Sequence, residues 1–256
     1  MKKTIKNTLF YVLLFAGGLM VNAQEMYVSL WYGQIQNKDV SEHIELEREY
    51  YSNFWQHQID EGNIMGWDMW QILNSDVNEM TTTFVYATLH SEPTFTTTPL
   101  SSMKGKSSAD RKAAEKRAMG HYIKNKAVTT SVKGGYGPQL EPGGVPTDIA
   151  VLNYMAVDPY KADEYEKAEL EVFMPNFKEN DLVKTGWGLH KILNYLGTDH
   201  PVNYITVDFY NSLNDLYEVR NATGELDDEA EEFWRNFEEI RSLKNSHILR
   251  KVMVLR

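Results

Sequence analysis

An imidazole, a carboxylate and a carboxamide gathered on neighbouring strands can move a proton and orient a polar ligand, and His190, Asp208 and Asn153 offer that combination. Flat aromatic walls would come from Trp31, Trp70 and Tyr86, with Tyr210 adding a hydroxyl. What groups these residues is strand alternation, since successive side chains point to opposite faces. In "NYITVDFYNSL" at 203–213, Ile205, Val207 and Phe209 form the apolar set and are expected to face helices. Thr206, Asp208 and Tyr210 then face the other way. In "IAVLNYMAV" at 149–157, the face holding Asn153 is expected inward with them, because an amide seldom faces a helix layer. Its counterparts near the N-terminus are Ser29, Trp31 and Gly33.

The elements that must position these residues occur twice. "GWDMWQILN" at 66–74 returns as "GWGLHKILN" at 186–194, and the position of Trp70 becomes His190. Around each copy the neighbours match. A strand at 27–35 or 149–157 is followed by a helical stretch, with Leu46, Tyr50 and Phe54 on one face in the first copy and Tyr165, Val172, Phe173 and Phe177 in the second. Pro175 is expected to kink or end the second of these helices. Third strands follow at 81–89 and 203–213, second helices at 108–122 and 226–244, and closing strands at 126–132 and 247–255. The order β-α-β-β-α-β, twice, is ferredoxin-like. One such sheet leaves a face bare, and two can cover each other. The chain therefore divides into a leader at 1–23, a first repeat at 24–132, a Gly/Pro-rich linker at 133–147 and a second repeat at 148–256.

This doubled plan, with Gly-Trp opening the second strand, resembles a fused form of the dimeric α+β barrel superfamily, which includes antibiotic-biosynthesis monooxygenases and NIPSNAP-like proteins. The resemblance implies an α+β fold in which two repeats pack sheet to sheet as an intramolecular barrel. It also implies a small-molecule site, with monooxygenase-like or isomerase-like chemistry that in some members needs no cofactor. Haem-degrading members use an Asn, Trp and His set. Asn153 and Trp234 stand at matching places, but no histidine follows at helical distance, His247 coming only in the last strand. No motif implies an external cofactor.

Composition narrows the classes further. Lys2, Lys3 and Lys6 precede an apolar run from Thr8 to Val21 and the small residues Val21-Asn22-Ala23, the pattern of a cleaved export signal and of a secreted or periplasmic protein. That run is too short for a convincing membrane span. The full chain carries −10, and without those three lysines the remainder stands at −13, which argues against nucleic-acid binding. With no cysteine, thiolate nucleophiles and disulfides are excluded. No HxH, HExxH, GxSxG or phosphate-binding loop occurs, and His43 and His57 are too far apart to preorganise a metal. Residues 104–133 hold nine Lys/Arg against Asp110 and Glu115, and 225–239 hold eight acids against Arg235. Both read first as solvated helix faces, with an anionic glycan or a lipid surface as the other reading of the basic one.

Two functions follow as expectations. In one, the lumen binds and transforms a small aromatic or polyketide-like molecule, with His190, Asp208 and Asn153 at its polar end and Trp31, Trp70, Tyr86 and Tyr210 around it. In the other, a packed lumen makes a non-catalytic envelope or stress-related protein. Self-association into a homo-oligomer stays open in both.

Overall fold

A computed structural model describes residues 25–74, 80–97, 107–141, 143–180, 183–194, 202–221 and 235–256. The expected leader, Trp234 and most of the acidic stretch lie outside the described residues. Runs rich in β-branched and aromatic residues form eight strands: β1 Tyr27–Gln36, β2 Gly66–Ile72, β3 Thr81–His90, β4 Tyr122–Tyr136, β5 Ile149–Val157, β6 Lys184–Ile192, β7 Tyr204–Tyr210 and β8 Arg241–Leu255. They close into one antiparallel barrel in the order β1-β3-β2-β8-β5-β7-β6-β4. Within each repeat the order is that of a ferredoxin-like sheet. The repeats are joined by their last strands, since β4 pairs its own β1 and the other repeat's β6, while β8 pairs its own β5 and β2. Closure leaves neither sheet with a bare face, which is what the duplication accomplishes.

Two long strands reach beyond their expected bounds. β4 continues to Tyr136, so the first residues of the presumed linker are strand, and β8 begins at Arg241, where a helix was expected. Outside the barrel, α1 Val40–Leu46 and α2 Ser52–Asp60 form one rod through a π turn at Glu47–Tyr51. The second repeat copies this with α4 Ala162–Ala168, a π turn at Glu169–Phe173 and α5 Met174–Asn180. The rod passes through Pro175 rather than ending there. Proline does not cause the π turn, because the first repeat makes the same turn without one. The remaining helices are α3 Ser108–His121, started by a Ser107–Asp110 capping box, and α6 Leu213–Asn221. No helix among the described residues is long and apolar enough to cross a membrane.

The barrel interior is an apolar plug. Val28, Leu30, Tyr32, Trp70, Val85, Ala87, Ala150, Leu152, Tyr154, Ile205, Val207 and Leu249 pack into one cluster, with Phe209 against it. A void of only about 80 Å³ remains. Within it the hydroxyls of Tyr32 and Tyr154, matching residues of the two copies, meet at 2.7 Å. The facing expected for β1, β3, β5 and β7 is therefore reversed. Ile205, Val207 and Phe209 look inward, while Asn153, Asp208, Trp31, Tyr86 and Tyr210 look outward toward helices; Tyr210, for example, packs with Leu216 of α6. The eight-stranded bore is narrow enough for branched side chains to fill. Polar groups instead occupy the outer face, where the helices stand off the sheet. Trp70 and His190 do point inward as expected.

His190 is half-buried there, its Nδ1 3.1 Å from the Thr130 hydroxyl. Burial lowers its pKa from the ordinary 6.5 to about 4. Between those values the unfolded chain binds the proton and the folded one does not, so stability falls as pH drops through this window. His190→Gln is expected to remove about 2–3 kcal/mol of the stability lost between pH 8 and pH 4. Urea melts of both proteins at the two pH values measure this; equal losses would mean that the folded imidazole is protonated normally.

Candidate functional site

A cavity of about 440 Å³ lies outside the barrel, between the outer face of the first repeat's sheet and its helices. Alternation places Trp31 of β1, Trp67 of β2, Tyr86 and Thr88 of β3 and Thr129 of β4 on this face, and a register shift in β4 beyond Lys124 brings Tyr122 onto it as well. The rod of α1 and α2 supplies Glu47, Tyr51 and Trp55 as the opposite wall. The rings are held by one another: Trp55 stacks on Trp67 at 5.7 Å, and Trp31 meets Tyr86 at 5.2 Å and Tyr122 edge-on at 4.7 Å. Gly33 makes that last contact feasible, since a Cβ there would lie 2.5 Å from the Tyr122 ring.

Glu47 is the unusual member. It opens the π turn and is 5% exposed, although no lysine or arginine among the described residues pairs with it. Desolvation raises its pKa from the ordinary 4.5 to about 8, partly opposed by a hydrogen bond from Tyr122. A π turn widens the helix by one residue and re-aims its side chains, as at many functional positions. One helical turn earlier, His43 is wholly buried, and burial lowers its pKa to about 4. Its Nε2 stands 2.5 Å from the Tyr86 hydroxyl, 3.2 Å from that of Tyr122 and 3.6 Å from the Glu47 carboxyl. Burial raises the pKa of both tyrosines, so they stay protonated at neutral pH.

The chain of contacts continues to the surface. His43 Nδ1 lies 3.3 Å from Nδ1 of His121, whose Nε2 is 3.7 Å from the exposed carboxylate of Glu42. Arg117 lowers the pKa of Glu42 and so keeps it charged. One set of tautomers serves the line from Tyr86 to the surface: Tyr86 donates to His43 Nε2, His43 Nδ1–H donates to His121, and His121 Nε2–H faces Glu42. The arrangement can carry a proton between the aromatic cleft and solvent.

The structure divides the expected site residues among three places. Trp31 and Tyr86 belong to this cleft, Trp70 and His190 to the lumen. Asn153 and Asp208 lie in the matching cleft of the second repeat, where the Asn153 amide donates to Asp208 at 2.8 Å. Tyr210 lines neither cleft. Glu47, His43, His121 and Tyr122 escaped the sequence reading. A signal was present: His43 and Glu47 sit at i and i+4, and Glu47 interrupts the apolar face of Leu46, Tyr50 and Phe54. No group of three or more His, Asp or Glu side chains that could hold a metal ion occurs among the described residues.

The architecture is a closed α+β barrel whose two ferredoxin-like halves are supplied by one chain. Similar solved structures include a provisionally assigned monooxygenase from Fusobacterium nucleatum subsp. nucleatum, with a TM-score of 0.60 at 10% identity over 91% of this chain and 94% of that one. Another provisionally assigned monooxygenase, from Lactobacillus acidophilus, gives 0.57 at 11% identity over 90% and 96%. An anthrone oxidase-like protein gives 0.51 at 13% identity over 90% and 92%. No family model matches the sequence, and no curated protein matches it significantly.

Proposed function

We propose that the first cleft binds a flat, weakly acidic aromatic molecule and that Glu47 exchanges a proton with it. The observation that carries this reading is a 440 Å³ aromatic-walled cavity containing a buried carboxyl that, among the described residues, has no lysine or arginine partner. A carboxyl with a pKa of about 8 is matched to proton transfer near neutral pH. The likeness to monooxygenase-type and anthrone oxidase-like proteins supports an oxygenation, with dioxygen as oxidant. An acidic CH2 flanked by aromatic rings loses a proton to the Glu47 carboxylate, and the carbanion transfers electrons to O2 to form a C–O bond. Glu47 returns the proton to give a hydroperoxide. Loss of the second C–H proton to Glu47 then breaks the O–O bond, and the departing hydroxide takes that proton to leave as water. The balance is R2CH2 + O2 → R2CO + H2O. Tyr86, Tyr122 and His43 hold the carboxyl and link it to solvent. The leader-like residues 2–23 support an exported protein, and export is part of the proposal.

A thermal-shift panel of phenols, hydroxynaphthoquinones and anthrones tests the binding. A ligand at one hundred times its Kd is expected to stabilise the fold by about 2.7 kcal/mol. Trp31→Ala should abolish the shift, and His190→Gln should retain it. A shift lost in His190→Gln but kept in Trp31→Ala would return the site to the lumen. A bound compound that is never turned over, aerobically or otherwise, would reduce the function to binding alone.

A further inference from the structure

The second repeat has the same cleft, remade in different chemistry. Its volume is about 140 Å³, and the positions of Trp31 and Tyr86 are taken by Asn153 and Thr206. The buried glutamate at the head of the π turn persists as Glu169. Two cations face the cavity, Lys184 from β6 and Arg241 from β8, together with the carboxylate of Asp208.

Their pairing is unequal. Lys184 Nζ lies 2.9 Å from Asp208 Oδ1, while Asp208 Oδ2 accepts from Asn153. Arg241 instead rests over the Phe237 ring at 4.8 Å and points Nη1 at the sulfur of Met155, and its buried Nε has no hydrogen-bond partner. Glu169 does not supply that partner: desolvation raises its pKa to about 7, leaving it largely uncharged below neutrality. Among the described residues this guanidinium makes no ion pair and rests on a thioether and a ring face, beside a cavity with room for a handful of heavy atoms. Arginine's fork suits a planar carboxylate in particular.

We infer that the second cleft is a receptor for a small monocarboxylate, seated on Arg241 with the Thr206 hydroxyl and the Glu169 carboxyl in reach and its short carbon chain against Phe173, Phe177 and Trp187. This site is separate from the aromatic one and does not depend on it. A carboxylate there adds one negative charge to a cavity that, among the described residues, carries one positive charge in excess. Glu169 in its protonated form donates to the bound oxygen, as Arg241 does.

Isothermal titration of the full chain with sodium acetate and sodium pyruvate, against sodium chloride at equal ionic strength and pH 6.5, tests the inference. A saturable, one-to-one heat is expected for at least one carboxylate and not for chloride. Arg241→Gln should weaken it at least tenfold, whereas Glu47→Gln in the other cleft should leave it unchanged. Thr206→Val, a nearly isosteric change, should weaken it less and guards against misfolding of the arginine variant. No saturable heat with either carboxylate, or an equal heat in Arg241→Gln, overturns the inference. So does a heat reproduced by chloride.

Discussion

Replacing Glu47 by glutamine is expected to lower turnover of a bound aromatic substrate by about 10²–10⁴-fold while leaving its affinity within a few-fold, because the amide keeps the shape of the cleft wall and cannot take a proton. The wild-type rate should rise with pH and level off above about 8, the value to which burial raises this carboxyl. The same substitution has an opposite effect on stability. In the unfolded chain Glu47 ionises near 4.5, and in the folded one near 8, so the folded state holds the extra proton between those values. Wild-type stability therefore falls as pH rises through that window, and the cost is fully present above it. Glu47→Gln should match the wild type near pH 4 and exceed it by about 3–5 kcal/mol at pH 9. Activity lost together with stability gained is the signature of a group kept for chemistry. Urea melts at the two pH values and a pH–rate profile measure both. A variant less stable at pH 9 would show instead that the carboxylate is ionised and paired.

The second large effect is structural. Asp68 → Ala is expected to destabilise the protein by about 3–5 kcal/mol, the usual result of removing one partner from a buried ion pair. Asp68 is 5% exposed at one end of the lumen, where Arg256 grips it with Nη1 at 2.6 Å and Nη2 at 3.1 Å. Arg256 is in turn fixed by the Gly144 carbonyl at 2.8 Å, and its own carbonyl accepts from Gln56 at 3.2 Å. The pair thus ties the second strand of one repeat to the end of the other and to the connection between them. Without the carboxylate, a largely buried guanidinium keeps its desolvation cost and loses its counter-charge. The second repeat has Gly188 at the matching position, with the His190 ring 3.2 Å from where a Cβ would stand, so it holds no equivalent pair. Equilibrium denaturation at pH 7 measures the loss; a change below about 1 kcal/mol would mean that water already solvates Arg256.

The doubled scaffold was legible because each repeat keeps its Gly-Trp strand: Trp67 and Trp187 are both 1% exposed, anchoring the helix layer to the sheet in the same way. Element order followed from alternation and helical stripes. Facing did not. Alternation separates two sides of a strand without saying which is the bore, and here both sides are enclosed. The rule that an amide avoids a helix layer failed at Asn153 because the helices stand off the sheet and leave a polar cavity. The bore, by contrast, accepts only side chains such as Ile205 and Val207. Candidate residues were thus sorted to the wrong side in four strands, although Trp31 and Tyr86 still proved to line a cavity. The residues missed altogether, His43, Glu47, His121 and Tyr122, lie on two helices and a closing strand. Their meeting depends on the π turn and on Gly33, and neither has a periodicity signal.

Where an aromatic ligand sits decides between the cleft and the bore. A crystal structure of the protein with the tightest-binding member of the thermal-shift panel shows it. The ligand is expected between Trp31, Trp55 and Tyr86, with an ionisable atom within hydrogen-bonding reach of Glu47 and the bore still filled by its own side chains. A ligand inside the barrel against His190, with the first cleft unoccupied, would contradict it.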